Sequence, residues 1–182
     1  QTRAPLLELF RRSFCELAGV VADTPDEADF THYCPLLSLP LAFGTTLETI
    51  PARIPYLSVN DAKRCAWHQR LAGDMRPAIG IAWATGKRGM HKRSFELPLT
   101  ALDPLFGLGE FRWISLNKEP LSGEQVAWLR QRGVVDWSAE LNDFDDTAAL
   151  LDQLDLVISV DTATAHLAGA LGKPVWLLNR AE

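Results

Sequence analysis

The protein is a chain of 182 residues, of which 47% are hydrophobic, and its formal net charge at pH 7 is -5. This length allows one good hydrophobic core, or one complete domain and part of a second. The acidic balance argues against a nucleic-acid-binding protein, because phosphate contacts need a basic surface. No apolar run approaches the roughly 18 residues that a membrane-spanning helix needs.

The cysteines indicate the redox state and location of the protein, and the chain ends indicate whether it is a fragment. Cys15, Cys34 and Cys65 are widely spaced and form no CxxC pair. Three cysteines without a signal peptide predict reduced thiols and a cytoplasmic location, and we expect each cysteine to be buried and structural. The chain begins at Gln1 without a methionine and stops just after an apolar strand. We therefore expect a fragment of a longer protein.

The first part of the chain has little regular pattern. Residues 6–14 predict a helix and residues 19–22 (GVVA) a short strand, while residues 30–37 lead from a strand into an apolar stretch. Residues 44–60 contain two prolines and little periodicity, which predicts a loop or crossover.

A helix is predicted next, and it helps to locate a domain boundary. Asn60 can cap this helix, which runs to about Leu71, and Gly73 ends it. The boundary is expected within residues 51–76. We predict that the boundary separates residues 1–58 from a second unit over residues 59–182.

Short apolar runs that suit buried strands recur through the second half. They lie at residues 78–84, 111–117, 134–137, 156–160 and 174–178. Such runs, separated by helices and short loops, predict an α/β fold with a parallel sheet covered by helices on both faces. Ligands of such sheets bind at the carboxyl ends of the strands.

The helices between these strands carry start and stop signals. Ser122 and Gln125 have capping-box spacing and open a helix to about residue 131, which Gly133 stops. Asp145 or Asp146 can cap a helix through residue 154. The last predicted helix covers residues 164–171 and stops at Gly172.

The segment DTATAH, residues 161–166, follows a buried strand directly and opens this last helix. Its small residues leave the first-turn N–H groups open, and these groups with the helix dipole bind anions. We predict a diphosphate seat at Thr162 and Ala163, to which the hydroxyl groups of Thr162 and Thr164 can add donors. An ordinary helix N-cap is the alternative interpretation.

Two side chains flank this predicted seat. Asp161 carries a negative charge, so it should cap the helix or accept a hydrogen bond from a sugar hydroxyl instead of contacting phosphate. His166 lies one turn after Thr162 and can donate to phosphate or sugar. A structural first-turn histidine is the alternative.

A basic loop follows the first predicted strand of the sheet, just after Trp83. It runs from Thr85 to Ser94, and its charged side chains are Lys87, Arg88, Lys92 and Arg93, with His91 among them. Positive charge at a strand end can neutralise a diphosphate leaving group; a solvated loop is the alternative. Asn117 and Lys118, at the end of the next strand, are a third candidate, and an ordinary turn is their alternative.

The run VISVDTATAHLAGALGKPVWLL, residues 157–178, resembles the nucleotide-binding half of glycosyltransferase family 9-type proteins, which are related to heptosyltransferases. The shared pattern is Asp-Thr, small residues, His-Leu and a Gly-x-Pro before a strand. Residues 32–57, 79–84, 111–119 and 143–163 also fit. The pattern also resembles that of bacterial proteins in which tetratricopeptide repeats precede such a domain.

This resemblance implies a GT-B architecture and an inverting transfer from a nucleotide-diphosphate sugar, with no required metal or other cofactor. It implies that residues 1–58 are a C-terminal remnant of the first Rossmann-like domain with its linker. Residues 59–182 would then be a nucleotide-sugar-binding, C-terminally truncated Rossmann-like domain. Placement at the strand ends and the resemblance together predict that the donor is bound by Trp83, Thr85, Lys92, Arg93, Asn117, Lys118, Asp161, Thr162, Ala163 and His166. The loop Ala84-Thr85-Gly86-Lys87 departs from the family's usual Ala-Gly-Asn-Pro. The family's catalytic base belongs to a Gly-rich loop of the first domain that nothing before Leu6 supplies, so we expect this fragment to lack it and assign no catalytic residue.

We therefore predict a fragment of a glycosyltransferase acting on an unidentified protein or glycan acceptor. The unusual Thr85-Gly86-Lys87 loop supports an alternative, a catalytically inactive nucleotide- or protein-binding module attached to tetratricopeptide repeats. A sugar-nucleotide epimerase is a third hypothesis, and only Asp161 and His166 qualify for its chemistry.

Overall fold

A computed structural model describes residues 2–16, 19–23, 26, 31–84 and 97–179. Within these ranges five parallel strands form one sheet: β1 (Ala78–Ala82), β2 (Arg112–Ser115), β3 (Val135–Asp136), β4 (Leu156–Val160) and β5 (Val175–Leu178). Their order in the sheet is β3-β2-β1-β4-β5. The chain thus starts at the centre, moves outward to β3, and returns to the other side of β1.

Helices connect these strands and precede them. They are α1 (Leu7–Ser13), α2 (Leu39–Ala42), α3 (Asp61–Leu71), α4 (Asp103–Phe106), α5 (Gly123–Gln131), α6 (Phe144–Asp152) and α7 (Ala163–Ala170). Short 3-10 turns lie at Ala4–Leu6, Leu36–Ser38, Leu47–Thr49, Leu99–Leu102 and Ser138–Glu140. Among the residues described, no helix is long and apolar enough to cross a membrane.

Apolar side chains form a core on each face of the sheet. On one face α1, α3, α6 and α7 supply Leu9, Trp67, Leu150 and Leu167; on the other, α4 and α5 supply Phe106 and Leu129. Every residue of β1 is buried, as a central strand covered on both faces requires. The predicted parallel sheet with helices on both faces is therefore confirmed. Leu9 lies in the same core as the sheet, and the predicted division at residue 58 stays a prediction.

Several local signals in the sequence act as predicted. Asn60 accepts hydrogen bonds from the backbone of Ala62 and Lys63 at the start of α3. The side chains of Ser122 and Gln125 form the expected capping box of α5. Gly133 follows α5 with a φ of 68°, in the left-handed region that glycine adopts without a steric penalty.

Three predictions were wrong. Residues 19–22 form no strand, and Val21 only accepts a backbone hydrogen bond from Thr2 at 2.8 Å. Helix α6 is capped by Asp143, neither by Asp145 nor by Asp146, because those two carboxylates are engaged by basic side chains of other elements. All three cysteines are exposed: Cys65 lies on the exposed side of α3, and Cys15 and Cys34 lie outside the helices and strands.

Candidate functional site

Helix α7 begins directly after the carboxyl end of β4 and has an unsatisfied N-terminus. Its N-cap is Thr162, in an extended conformation, and no side chain caps it. The Thr162 hydroxyl instead pairs with the Ser159 hydroxyl at 3.0 Å. The N–H of His166 is the first to bond within the helix, to the carbonyl of Thr162 at 3.3 Å. The three preceding N–H groups have no acceptor among the described residues, and they form an anion-binding terminus.

This terminus opens into a cleft of about 640 Å³ at the carboxyl ends of β1, β2 and β4. The cleft is lined by Pro5, Ala82, Ala84, Leu116, Lys118, Glu119, Leu141, Asn142, Asp143, Phe144, Thr147, Asp161, Thr162, Ala163, Thr164 and His166. The chain leaves β1 toward one side of the sheet and returns to β4 on the other, so the cleft lies at the topological switch point. Open parallel sheets bind their ligands at this point.

A second helix also begins in the cleft, but its N-terminus is closed. In α6 the carboxylate of Asp143 accepts a hydrogen bond from the N–H of Asp146 at 2.8 Å. The carboxylate of Asp146 in turn accepts from the N–H of Asn142 at 2.9 Å. A negatively charged cap leaves no place for a second anion, so a phosphate would bind at α7 and not at α6.

Asp161 and His166 lie together at the mouth of the cleft. Their Oδ1 and Nε2 atoms are 3.2 Å apart, and the side chains are 55% and 80% exposed. Asp161 does not cap α7, so that part of its predicted role was wrong; Thr162 occupies the N-cap position. An exposed pair of this kind contributes little to stability, and both groups are free to reorient toward the hydroxyls of a ligand.

Asn117 holds the ends of two strands together. It is 3% exposed, and its Oδ1 accepts hydrogen bonds from the N–H groups of Trp83 at 3.0 Å and Ala84 at 3.4 Å. The side chain of Trp83 is 2% exposed and packs in the core on the far face of the sheet. Both side chains are therefore engaged within the protein, Asn117 by backbone N–H groups and Trp83 by the core.

Lys118 borders the cleft, but its ammonium already has partners. It donates to the carbonyl oxygen of Ser138 at 2.9 Å and to that of Leu141. The remaining predicted residues, Thr85, Lys92 and Arg93, lie outside the described residues. In the part of the chain that is described, no group of three or more His, Cys, Asp or Glu side chains could hold a metal ion.

Sequence reasoning missed one wall of the cleft. This wall consists of Leu141, Asn142, Asp143 and Phe144, to which the N-terminal turn adds Pro5. The aspartates before the helix indicated a helix start near 145, and in an alternating α/β fold every helix after a strand starts at the ligand-binding edge. That rule applied to α6 could have identified the wall, whereas nothing in the sequence links Pro5 to it.

Comparison with known proteins supports a family relationship for the C-terminal part of the chain. Residues 138–178 match the model of glycosyltransferase family 9 (heptosyltransferase). This range contains Asp161, Thr162, Ala163 and His166, together with the loop before α6. The resemblance expected from the sequence is thus confirmed for these residues.

Individual relatives extend the similarity over more of the chain. Protein FlbA of Caulobacter vibrioides is 29% identical over 143 residues, which are 75% of this chain and 24% of FlbA. A glycosyl transferase family 9 structure from Veillonella parvula superposes with a TM-score of 0.55 at 16% identity, over 78% of this chain and 42% of that one. E. coli ADP-heptose lps heptosyltransferase II gives a TM-score of 0.42 at 19% identity, over 73% and 42%.

The comparisons show which fold this chain shares with known proteins and how much of their length it covers. The Veillonella structure shares its fold with this chain over 42% of its own length, which confirms the expected GT-B-type α/β class for the part that superposes. The chain spans about a quarter of the length of FlbA and less than half of the Veillonella structure.

Proposed function

We propose that this chain is the donor-binding part of a glycosyltransferase that takes its sugar from a nucleotide diphosphate. The observation that carries the proposal is the start of α7, where three N–H groups at the switch point of the sheet have no acceptor among the described residues. A diphosphate has the charge and size to accept those hydrogen bonds, and the helix dipole favours it.

The rest of the cleft suits the other parts of such a donor. Its volume of about 640 Å³ lies within the range of small-molecule sites. Leu116, Leu141 and Phe144 supply an apolar wall that suits a nucleobase. Asp161 and His166 are polar and exposed at the mouth, where sugar hydroxyls need hydrogen-bonding partners.

We infer the reaction from this placement together with the family resemblance. An acceptor hydroxyl gives its proton to a general base, which we do not assign, and attacks the anomeric carbon in line. The bond to the diphosphate oxygen breaks, and the configuration inverts. Negative charge develops on the leaving diphosphate, and the α7 N–H groups stabilise it because they are already oriented. Lys92 and Arg93 are proposed to add positive charge there. Inversion without a metal, like the acceptor-side chemistry, is taken from the family resemblance.

The decisive test removes one hydrogen-bond donor, the N–H of Ala163, from the diphosphate seat without changing the helix. Ala163 is the first residue of α7, where proline is tolerated because the N–H has no intrahelical partner. Thr162 itself is unsuitable, since its φ of -139° is far from the value that proline requires. Ala163→Pro should weaken nucleoside diphosphate binding by at least about tenfold, or 1.4 kcal/mol.

Gly123→Pro is the matched control. Gly123 is the first residue of α5, and a side chain there meets no other atoms within 4 Å. Circular dichroism should first show that both variants and the parent chain fold. Each protein is then titrated calorimetrically with ADP, GDP and UDP and with the nucleotide-diphosphate sugars of these three nucleotides. Equal affinities of Ala163→Pro and the parent would refute the seat. Failure of the parent to bind any of these compounds would refute donor binding and favour the inactive interaction module.

A further inference from the structure

We propose that Lys118 is a positioning residue that shapes the nucleoside side of the cleft and does not contact the donor diphosphate. The inference rests on the proposed function for the identity of the ligand, a nucleoside diphosphate. That Lys118 holds the neighbouring loop can be tested without any ligand. It concerns residues 138–143, called here the 138–143 loop, which connects β3 to α6 and forms one wall of the cleft.

The ammonium group of Lys118 is held by the 138–143 loop. Its Nζ donates to two carbonyl oxygens of that loop, those of Ser138 and Leu141. An ammonium group has three donors and no acceptor, so two of its three hydrogen bonds are made to the loop. Lys118 thereby connects the end of β2 to a segment that begins 20 positions later in the sequence.

The same loop is anchored from its other side. Arg70 of α3 forms a two-pronged pair with Glu140, with Nη2 2.7 Å from Oε1 and Nη1 in contact with Oε2. The Arg70 guanidinium also lies over the ring of Trp137, 4.6 Å from its centroid, and over that of Trp67 at 5.1 Å. Lys118 holds the 138–143 loop from the cleft side. Removing the Lys118 ammonium therefore releases the cleft side of the loop, while the Arg70–Glu140 pair is kept.

The position of Leu141 determines what the loop does for a ligand. Its side chain is 3% exposed and packs in the core, and Leu141 also lines the cleft together with its neighbours Asn142, Asp143 and Phe144. Without Lys118, two carbonyl oxygens lose a charged donor, and charged hydrogen bonds are stronger than neutral ones. The loop would then lose its fixed conformation, and the apolar wall at Leu141 and Phe144 would move with it.

The position of Lys118 relative to α7 separates this role from direct phosphate binding. The N–H groups of the proposed diphosphate seat lie at the start of α7 after β4, whereas Lys118 follows β2 on the far side of β1. A positioning role predicts a loss that depends on the nucleoside part of the ligand. Direct contact predicts equal losses for nucleoside diphosphates and for pyrophosphate.

The experiment compares Lys118→Met with Lys173→Met in the full 182-residue chain. Lys173 is a matched control, because its Nζ also donates to a backbone carbonyl, that of Asp152 at 2.9 Å, and it does not line the cleft. Hydrogen exchange of peptides that cover residues 138–146 is measured without ligand. We expect exchange in Lys118→Met to be roughly tenfold faster there, and unchanged in Lys173→Met. Unchanged exchange in Lys118→Met would overturn the inference.

Calorimetry with ADP, GDP, UDP and inorganic pyrophosphate provides the second measurement. In Lys118→Met the affinity for the nucleoside diphosphates should fall roughly tenfold more than that for pyrophosphate, and Lys118→Arg should recover part of the loss. Equal losses for both ligand types would show direct phosphate contact and overturn the inference. A parent chain that binds no nucleotide would contradict the proposed function, while the exchange data would still decide whether Lys118 holds the loop.

Discussion

The guanidinium of Arg12 donates a hydrogen bond to the carboxylate of Asp145, which lies 133 positions later in the chain. Arg12 also donates to the carbonyl of Ser58 at 2.9 Å and 3.1 Å, and Asp145 is 3.0 Å from the Nζ of Lys63. The side chain of Asp145 is only 3% exposed. This cluster connects α1, α3 and α6 immediately beside the first turn of α6, which borders the cleft.

Arg12→Met should destabilise the fold by about 2–3 kcal/mol, because it leaves a buried carboxylate with Lys63 as its remaining charged partner. The value lies below that of a fully buried pair, since Arg12 is about a quarter exposed. Urea unfolding provides the measurement. Arg11→Met is the control: its pair with Glu8 is exposed on both sides, so a loss of well under about 1 kcal/mol is expected. Equal losses of unfolding free energy in the two variants would show that the Arg12–Asp145 pair stabilises the fold no more than an exposed pair.

Acid should weaken the same cluster. Burial raises the pKa of Asp145, but the hydrogen bonds from Arg12 and Lys63 outweigh it and hold that pKa below its ordinary value of 3.8. Burial likewise raises the pKa of Asp146, and Lys63 with the N–H of Asn142 outweighs it. Both carboxylates bind protons more weakly in the folded state, so their contribution is present above about pH 4 and is lost as pH falls through the folded pKa values.

The unfolding free energy of the parent should therefore decrease between pH 5 and pH 3, both approximate limits set by the ordinary carboxyl pKa. Asp145→Asn should be less stable than the parent at neutral pH and should lose less on acidification, because one of the two groups no longer titrates. Urea midpoints at several pH values test this. Parallel curves for the two proteins would assign the acid sensitivity to other carboxylates.

Gly80 in β1 should not tolerate a side chain. A Cβ atom there would lie 2.5 Å from Cδ1 of Leu116 and 2.6 Å from Cδ1 of Leu154, both in the core. Gly80→Ala should cost about 1–3 kcal/mol, because both leucines must leave their packed positions. Gly169 within α7 has open space at the same position, so Gly169→Ala should stabilise by about 0.5–1 kcal/mol. Thermal and urea unfolding of both variants test this, and a stabilising Gly80→Ala would contradict it.

Asn117→Ala should destabilise by about 1–3 kcal/mol, since it removes the acceptor of the N–H groups of Trp83 and Ala84 at the end of β1. Asn142→Ala is a suitable control, because Asn142 is exposed and water can replace the hydrogen bonds of its side chain. Urea unfolding distinguishes the two variants. Similar losses would show that the Asn117 amide contributes no more than an exposed one.

Much of the fold follows from local patterns. The apolar runs identified the strands, and the Ser122–Gln125 capping box and Gly133 bounded α5, because these signals act within a few residues. The cap of α6 was misjudged because Asp143, Asp145 and Asp146 can each cap a helix. Arg12 and Lys63 engage the last two, and sequence alone does not bring those basic residues near.

The candidate site was predictable in part for the same reason. The start of α7 is determined by neighbouring residues, so its position after β4 could be inferred from residues 156–171. The partners of Asn117 and Lys118 lie more than 19 positions away in the sequence, and nothing in the dipeptide itself indicates them. Three of the predicted donor-binding residues, Thr85, Lys92 and Arg93, lie outside the described residues and stay predictions.

The missing cap of α7 has a thermodynamic consequence. A side-chain cap typically contributes about 1 kcal/mol to a helix, and Thr162 forgoes this by directing its hydroxyl to Ser159. An anion that binds at the three N–H groups, which have no acceptor in the part of the chain that is described, supplies the missing acceptor itself, so binding and folding are linked. At a ligand concentration one hundred times Kd, this linkage raises the unfolding free energy by about 2.7 kcal/mol. The ligand-free chain is thus held below the stability that its own fold can reach.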